Sequence, residues 1–237
     1  MVTGVASKRM RSARELVVRG KSYPVTDAVA LLQQAPQVKF DESVDVAVKL
    51  DVDPKQSDQA VRGTVVLPHG TGKTIRVIVF AKGEAVKAAE QAGADVVGGD
   101  DLIAKVNGGW LEFDVVVATP DLMKDLAKLG KVLGPRGLMP SPKVGTVTMN
   151  VAQAVKDVKR GKVEFKMDKQ GDLHLSVGRR SFSAAQLTEN LTTFLEALWK
   201  ARPAAAKGQY VKAIVLSSTM GPGIRLDMNA VRQLVGA

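Results

Sequence analysis

The stretch 75–120 reads IRVIVFAKGEAVKAAEQAGADVVGGDDLIAKVNGGWLEFDVVVATP. Three short apolar runs, IRVIVFA (75–81), ADVVG (94–98) and FDVVVATP (113–120), alternate with two helical patterns, GEAVKAAEQAG (83–93) and DDLIAKVNG (100–108). Runs this apolar suit strands buried on both faces. Strand–helix alternation predicts a parallel sheet covered by helices. DLMKDLAKLG (121–130) extends the pattern with a helix, and NVAQAVKDVKRG (150–161) adds another.

Outside this stretch the pattern changes. SVDVAVKLDVD (43–53) alternates strictly between apolar and polar residues, which predicts a strand with one wet face. QAVRGTVVLP (59–68) is a second, less regular strand. Beyond 161, KVEFKMD and DLHLSVG alternate again on either side of KQG, a predicted hairpin. AAQLTENLTTFLEALWKAR (184–202) is a long amphipathic helix, and YVKAIVLSSTM (210–220) is a last strand. Residues 8–34 read as helical, and the tail 226–237 fits either a short helix or loose chain. The chain therefore reads as nested. An α+β domain is split between 1–68 and 161–237, and a Rossmann-like α/β domain with a parallel sheet, 69–160, is inserted into it. Insertions succeed at exposed turns where few contacts cross. Pro68, Gly70, Gly72 and Gly161 are the expected hinge.

The 34 Lys and Arg outnumber the 24 Asp and Glu, giving +10 and a pI near 9.8. Such an excess attracts polyanions, and the larger share of it falls in the split domain. Aromatic residues are only 4% of the chain, too few for a platform that stacks several bases. The absence of cysteine removes disulfides, thiolate metal sites and thiol nucleophiles, and suits a cytosolic protein. No apolar run is long enough to span a bilayer, and MVTGVASKRMRSAREL lacks the apolar stretch of a secretory signal.

Catalytic readings find little support. LPHGTGKT (67–74) ends like a phosphate-binding loop, G-x-x-x-x-G-K-[ST]. Leu67 stands where the first glycine belongs, and a predicted strand follows where a helix should open. AKGEA stands where a dinucleotide site would carry GxGxxG. With two histidines and no cysteine, a metal site would need carboxylates. The adjacent pairs Asp41–Glu42 and Asp100–Asp101 read instead as helix caps or solvent-facing groups. No metal and no cofactor is expected. Two rivals remain. A nucleotide-dependent transferase predicts tight nucleotide binding, and a general DNA-binding protein predicts no preference for RNA.

The strongest local feature is SSTMGPGIR (217–225), where a predicted strand ends in three hydroxyls and a Gly-Pro-Gly turn. It fits a plain turn, or a backbone that approaches a ligand closely, with Arg225 adding charge. Lys39 and Phe40 precede the alternating strand; Phe40 fits either a core anchor or a surface for a sugar or base. Lys162, Lys166 and Lys169 cross the hairpin, where a solvated edge is the alternative. LGKVLGPRGLMPSPKVGT (129–146) is a long basic Gly/Pro loop carrying Lys131, Arg136 and Lys143, suited to phosphate contact.

KFDESVDVAVKLDVDPKQSDQAVRGTVVLPHGTGK, AKGEAVKAAEQAGADVVGGDDLI, FDVVVATPDLM, LGPRGLMPSPKVGT and SSTMGPGIR occur in that order and spacing. Together they resemble the L-one family of bacterial large-subunit ribosomal proteins, over about residues 5–227. The resemblance implies the nested two-domain fold and a non-enzymatic protein that binds large-subunit ribosomal RNA at the mobile stalk of the tRNA exit site. It implies contacts on Lys39 and Phe40, on the hairpin at Lys166 and Asp168, and on Thr219, Met220 and Gly221. Ser217 and Arg225 flank that turn, and Arg136 and Lys143 are the secondary RNA contacts. It further implies assistance in releasing deacylated tRNA and repression of the protein's own operon mRNA. No membrane partner and no obligate oligomer is expected, and the location is the cytoplasmic ribosome.

Overall fold

The computed structural model describes residues 7–54, 56–204, 206 and 208–236. The chain divides into two compact units, one running up to Gly72 and resuming at Glu164, the other Lys73–Val163. The class is α+β with an inserted α/β unit.

The first unit opens with α1 (Lys8–Glu15), whose N-terminus is capped by Ser7, and α2 (Val25–Gln34). β1 (Ser43–Leu50) and β2 (Arg62–Val66) follow. The inserted unit holds β3 (Val77–Phe80), α3 (Glu84–Gln91), β4 (Val96–Gly98), α4 (Asp100–Asn107) and β5 (Val115–Ala118). It continues through α5 (Met123–Leu126), α6 (Gly130–Leu133) and α7 (Val151–Lys159). The chain then returns through β6 (Lys162–Lys166), β7 (Asp172–Arg179), α8 (Ala184–Lys200), β8 (Val211–Ser218), β9 (Ile224–Arg225) and α9 (Met228–Val235).

In the first unit the order β7-β1-β8-β9 makes a four-stranded antiparallel sheet, and β2 pairs with β6 separately. β1 sits in the interior of the sheet, and its alternation becomes its burial. Val44, Val46, Val48 and Leu50 are buried, while Ser43, Asp45, Ala47 and Lys49 are half-buried. The apolar side is covered by α2, through Ala28, Val29 and Leu32, and by α8, through Leu187, Leu191, Phe194, Leu195 and Leu198. Phe165 from β6 meets Phe194 edge-to-face with ring centres 5.7 Å apart. Burying each such side chain contributes about 1.5–3 kcal/mol. α8 starts at a capping box in which Ser183 and Gln186 satisfy each other's backbone N–H groups.

In the inserted unit the parallel sheet has the order β4-β3-β5. All of β3 is buried, as a strand covered on both faces must be. Ile78, Phe80 and Val116 pack with Leu102, Val106, Leu122, Leu126, Leu129 and Leu133 on one side. Val77, Val79 and Val117 pack with Ala89, Val151, Val155 and Val158 on the other. The single helix predicted at 121–130 is a broken run instead. A 3₁₀ turn (Pro120–Leu122), α5, a second 3₁₀ turn (Ala127–Leu129) and α6 carry it on to Leu133. Pro120 permits only a helical start, and Gly130 and Gly134 weaken the continuation. The predicted loop 129–146 is correspondingly shorter. The tail folds as α9, with Val231 buried.

Candidate nucleic-acid interface

The chain entering β1 and the turn leaving β8 meet at one end of the sheet, because β1 and β8 run antiparallel with Val44 opposite Ser218. Glu42 joins them and is only 1% exposed. Its Oε1 accepts from the Ser218 hydroxyl at 3.1 Å and from the Met220 backbone N–H at 2.8 Å. Its Oε2 accepts from the Arg180 guanidinium at 2.8 Å. A buried charge is tolerated only when paired and hydrogen-bonded. Burial pushes the Glu42 carboxyl up, but Arg180, the Met220 N–H and the Ser218 hydroxyl together outweigh it and hold it below the ordinary glutamate range. Arg180 also donates to the carbonyls of Gln33, Ala35 and Pro36, where α2 ends and its free carbonyls favour a cation.

Asp41 is fixed as well. Its carboxylate accepts from the Ser181 N–H at 3.1 Å and the Ser181 hydroxyl at 2.8 Å, and Arg179 donates to its carbonyl at 2.9 Å. The Asp41–Glu42 pair was expected at a cap or in solvent. Glu42 is instead the buried anchor of the turn, and its charge partner lies 138 residues away in the chain. No local pattern signals such a partner.

The turn is held on every side. The Thr219 N–H donates to the Ser43 carbonyl at 3.0 Å, and the Ser43 N–H donates to the Thr219 hydroxyl at 3.0 Å. Arg9 donates to the Met220 carbonyl at 2.8 Å. A Cβ on Gly221 would collide with the Ser218 hydroxyl that bonds Glu42. This frame presents Phe40, 56% exposed, and Met220, 46% exposed. Phe40 is therefore not a core anchor. Lys39 and Thr219 are exposed beside them, Arg225 is exposed on β9 opposite Val215, and Ser217 is half-buried.

Lys166 and Asp168 lie elsewhere. In register, Lys49 at the far end of β1 faces Asp172. The eight residues of β1 put the hairpin roughly 23 Å from Ser43 at about 3.3 Å per residue. Lys166 is exposed. The Asp168 carboxylate accepts from the backbone N–H groups of Asp172 and Gln170 at 2.8 Å each, and these hold it below the ordinary aspartate range. Asp168 shapes the hairpin turn.

In the inserted unit, Arg136 is exposed after α6. Lys143 falls in the 3₁₀ turn Pro142–Val144, and its side chain lies outside the described residues. Pro68, Gly70 and Gly72 belong to the first unit. Asn190, fully buried on α8, accepts from the His69 N–H at 3.1 Å and donates to the carbonyls of Gly70 at 2.9 Å and Val177 at 2.8 Å. Gly72 has φ +71°, and a Cβ there would press on Arg179 and Phe182. Gly161, at φ +101°, separates α7 from β6. Lys73 and Thr74 lead to β3, so the GTGKT sequence runs toward a strand and opens no helix. Among the described residues, no helix is long and apolar enough to cross a membrane.

The family model described as "Ribosomal protein L1p/L10e family" matches residues 31–222. The chain belongs to this family. Two relatives are each called large ribosomal subunit protein uL1. That of Protochlamydia amoebophila (strain UWE25) is 53% identical over 225 residues, covering 95% of both chains. That of Kosmotoga olearia (strain ATCC BAA-1733 / DSM 21960 / TBF 19.5.1) is 53% identical over 225 residues, covering 95% of this chain and 97% of its own. The L1p/L10e match encloses Phe40, the Glu42–Arg180 pair and Ser217 to Gly221, but not α1, Arg225 or α9. Membership in the L1p/L10e family makes this a structural protein, not an enzyme, and ends the transferase reading.

Proposed function

We propose that this chain is a constituent of the large ribosomal subunit in the cytoplasm and binds large-subunit ribosomal RNA at the mobile stalk. In this reading the split unit makes the principal contact. Phe40 and Met220 supply apolar surface to a ribose or base face, and Lys39 and Arg225 supply charge to phosphates. The fixed backbone of Ser217–Gly221 approaches the 2′-hydroxyls. Lys166 and the Asp168 turn contact a second part of the same RNA. Arg136 and Lys143 make secondary contacts from the inserted unit, which assists release of deacylated tRNA from the exit site. The same face represses the protein's own operon by binding a mimic of the ribosomal site in mRNA. Bending falls on Gly72 and Gly161, because Asn190 straps Pro68–Gly70 to the split unit.

The observation that carries the reading is the pair Phe40 and Met220. Both are large, apolar and held out to solvent, and Glu42 fixes the Met220 backbone from beneath. Membership in a ribosomal-protein family supports it. Filter retention across a salt series tests it, comparing the stalk RNA fragment with a scrambled RNA of equal length. Wild type should prefer the fragment by about a hundredfold at moderate salt, and Thr219→Ala plus Met220→Ala should lose that preference. Equal binding of both RNAs by both proteins would sink it. The fragment set against operon mRNA and deacylated tRNA, each as competitor, checks the two finer assignments.

A further inference from the structure

Beside the Thr219–Gly221 turn, on the α1 side, lies a groove of about 680 Å³. Arg14, Arg19, Lys21 and Arg225 line it together with Val18 and Pro222, and no carboxylate does. All four cations are exposed, and none is in an ion pair among the described residues. Some cations elsewhere on the surface find acids, as Lys49 does with Asp172, Lys82 with Asp100 and Lys212 with Asp51, and others are, like these, in no ion pair among the described residues; what sets these four apart is that they line one groove together. The groove is built into the fold. Its two walls are tied by Tyr23, whose N–H donates to the Arg225 carbonyl at 2.9 Å and whose hydroxyl accepts from the Val18 N–H at 3.0 Å. The Lys21 ammonium sits 5.1 Å from the centre of the Tyr23 ring, which restrains it without neutralising it. All four cations lie outside the stretch 31–222 that the family model matches.

Four unpaired cations on a fixed frame, with apolar side chains between them, fit a chain of phosphates spaced by sugars. We propose that this groove seats the phosphodiester backbone of the bound RNA where the strand leaves the Thr219–Gly221 turn. The inference rests on the RNA-binding reading and adds a subsite to it. The groove contributes affinity without sequence preference, because phosphates are the same at every nucleotide.

The test is the salt dependence of RNA binding by the full chain. Each phosphate contact contributes about 0.7 to the slope of log affinity against log salt on a single strand and about 0.9 on a duplex. The triple variant Arg14→Gln, Arg19→Gln, Lys21→Gln should lower that slope by about 2 while keeping the preference for the stalk fragment over the scrambled RNA. A charge-matched control, Lys87→Gln, Lys105→Gln, Lys156→Gln in the inserted unit, should leave it unchanged. Should the triple variant unfold, Arg19→Gln alone should lower the slope by about 0.7. A wild-type slope in the groove variant, or an equal drop in the control, overturns the groove while leaving the reading turn intact. A wild type that prefers neither RNA overturns both.

Discussion

Glu42 holds the turn after β8 from beneath, through Ser218, Met220 and Arg180. Replacing it with Gln leaves Arg180 charged and buried, and removing one partner of a buried pair costs about 3–5 kcal/mol. Urea unfolding of Glu42→Gln should show a loss of that size. The RNA preference should fall with it, because the amide NH2 that replaces Oε2 cannot accept from Arg180, and the frame that holds the Met220 turn loosens. An unchanged urea midpoint would mean the pair is dispensable. The pH dependence follows from the sign of the shift. The folded carboxyl ionises below its ordinary range, so its contribution is complete above that range and is lost as pH falls through the lowered value. The gap between wild type and Glu42→Gln should therefore close in acid. Tyr210 behaves oppositely. Burial pushes its hydroxyl up to about 12, and it has no hydrogen-bond partner among the described residues. Its contribution is complete below the ordinary tyrosine value of about 10 and is lost as pH rises from there through about 12. Ultraviolet titration of Tyr23→Phe, which leaves Tyr210 as the one tyrosine in the sequence, should show phenolate only near pH 12; a full phenolate signal near pH 10 would contradict its burial. Neither residue announces itself in the sequence. Asp41–Glu42 looks like any surface acidic pair, and Tyr210 looks like any strand residue.

Among the elements, those with a strict period are the legible ones. β1 alternates because one face packs and the other is wet, and β3 is uniformly apolar because both of its faces pack. β9, two residues long inside a glycine turn, has no period to read. The run from Pro120 to Leu133 keeps its apolar spacing but changes helix type twice, which spacing alone does not encode. Position in the sequence also misleads at Pro68–Gly70, which reads as a free linker. Leu67 is fully buried and Asn190 binds the next turn of chain. Asn190→Ala leaves His69, Gly70 and Val177 without their partners, and should cost about 2 kcal/mol. Hydrogen exchange at the His69 amide should speed up in that variant. Glu189→Gln, which touches only the His69 ring, should leave it slow. Equal protection in all three proteins would rule out the strap.

At the scale of the molecule, the two units differ in how their chain is used. The inserted unit is continuous and has an apolar layer on each side of its sheet. Excised as Lys73–Val163, it should unfold cooperatively in urea, followed by far-ultraviolet circular dichroism; a gradual, featureless curve would mean it depends on the rest. The nesting was readable because the pattern switches and switches back. The basic groove beside the turn was not, because it joins residues from both ends of the chain. The order β7-β1-β8 also sets a timetable. β1 is finished at Leu50, yet one neighbour ends at Arg179 and the other at Ser218. At roughly 5–20 residues per second, β1 emerges from the synthesising ribosome on the order of ten seconds before its last partner. Asp45 and Lys49 on its wet face are charged, which disfavours wrong pairing during that wait. A nascent or truncated chain owns Phe40 but not Met220; if the proposed contacts are the RNA grip, only completed copies have it, and repression through that grip would count finished molecules.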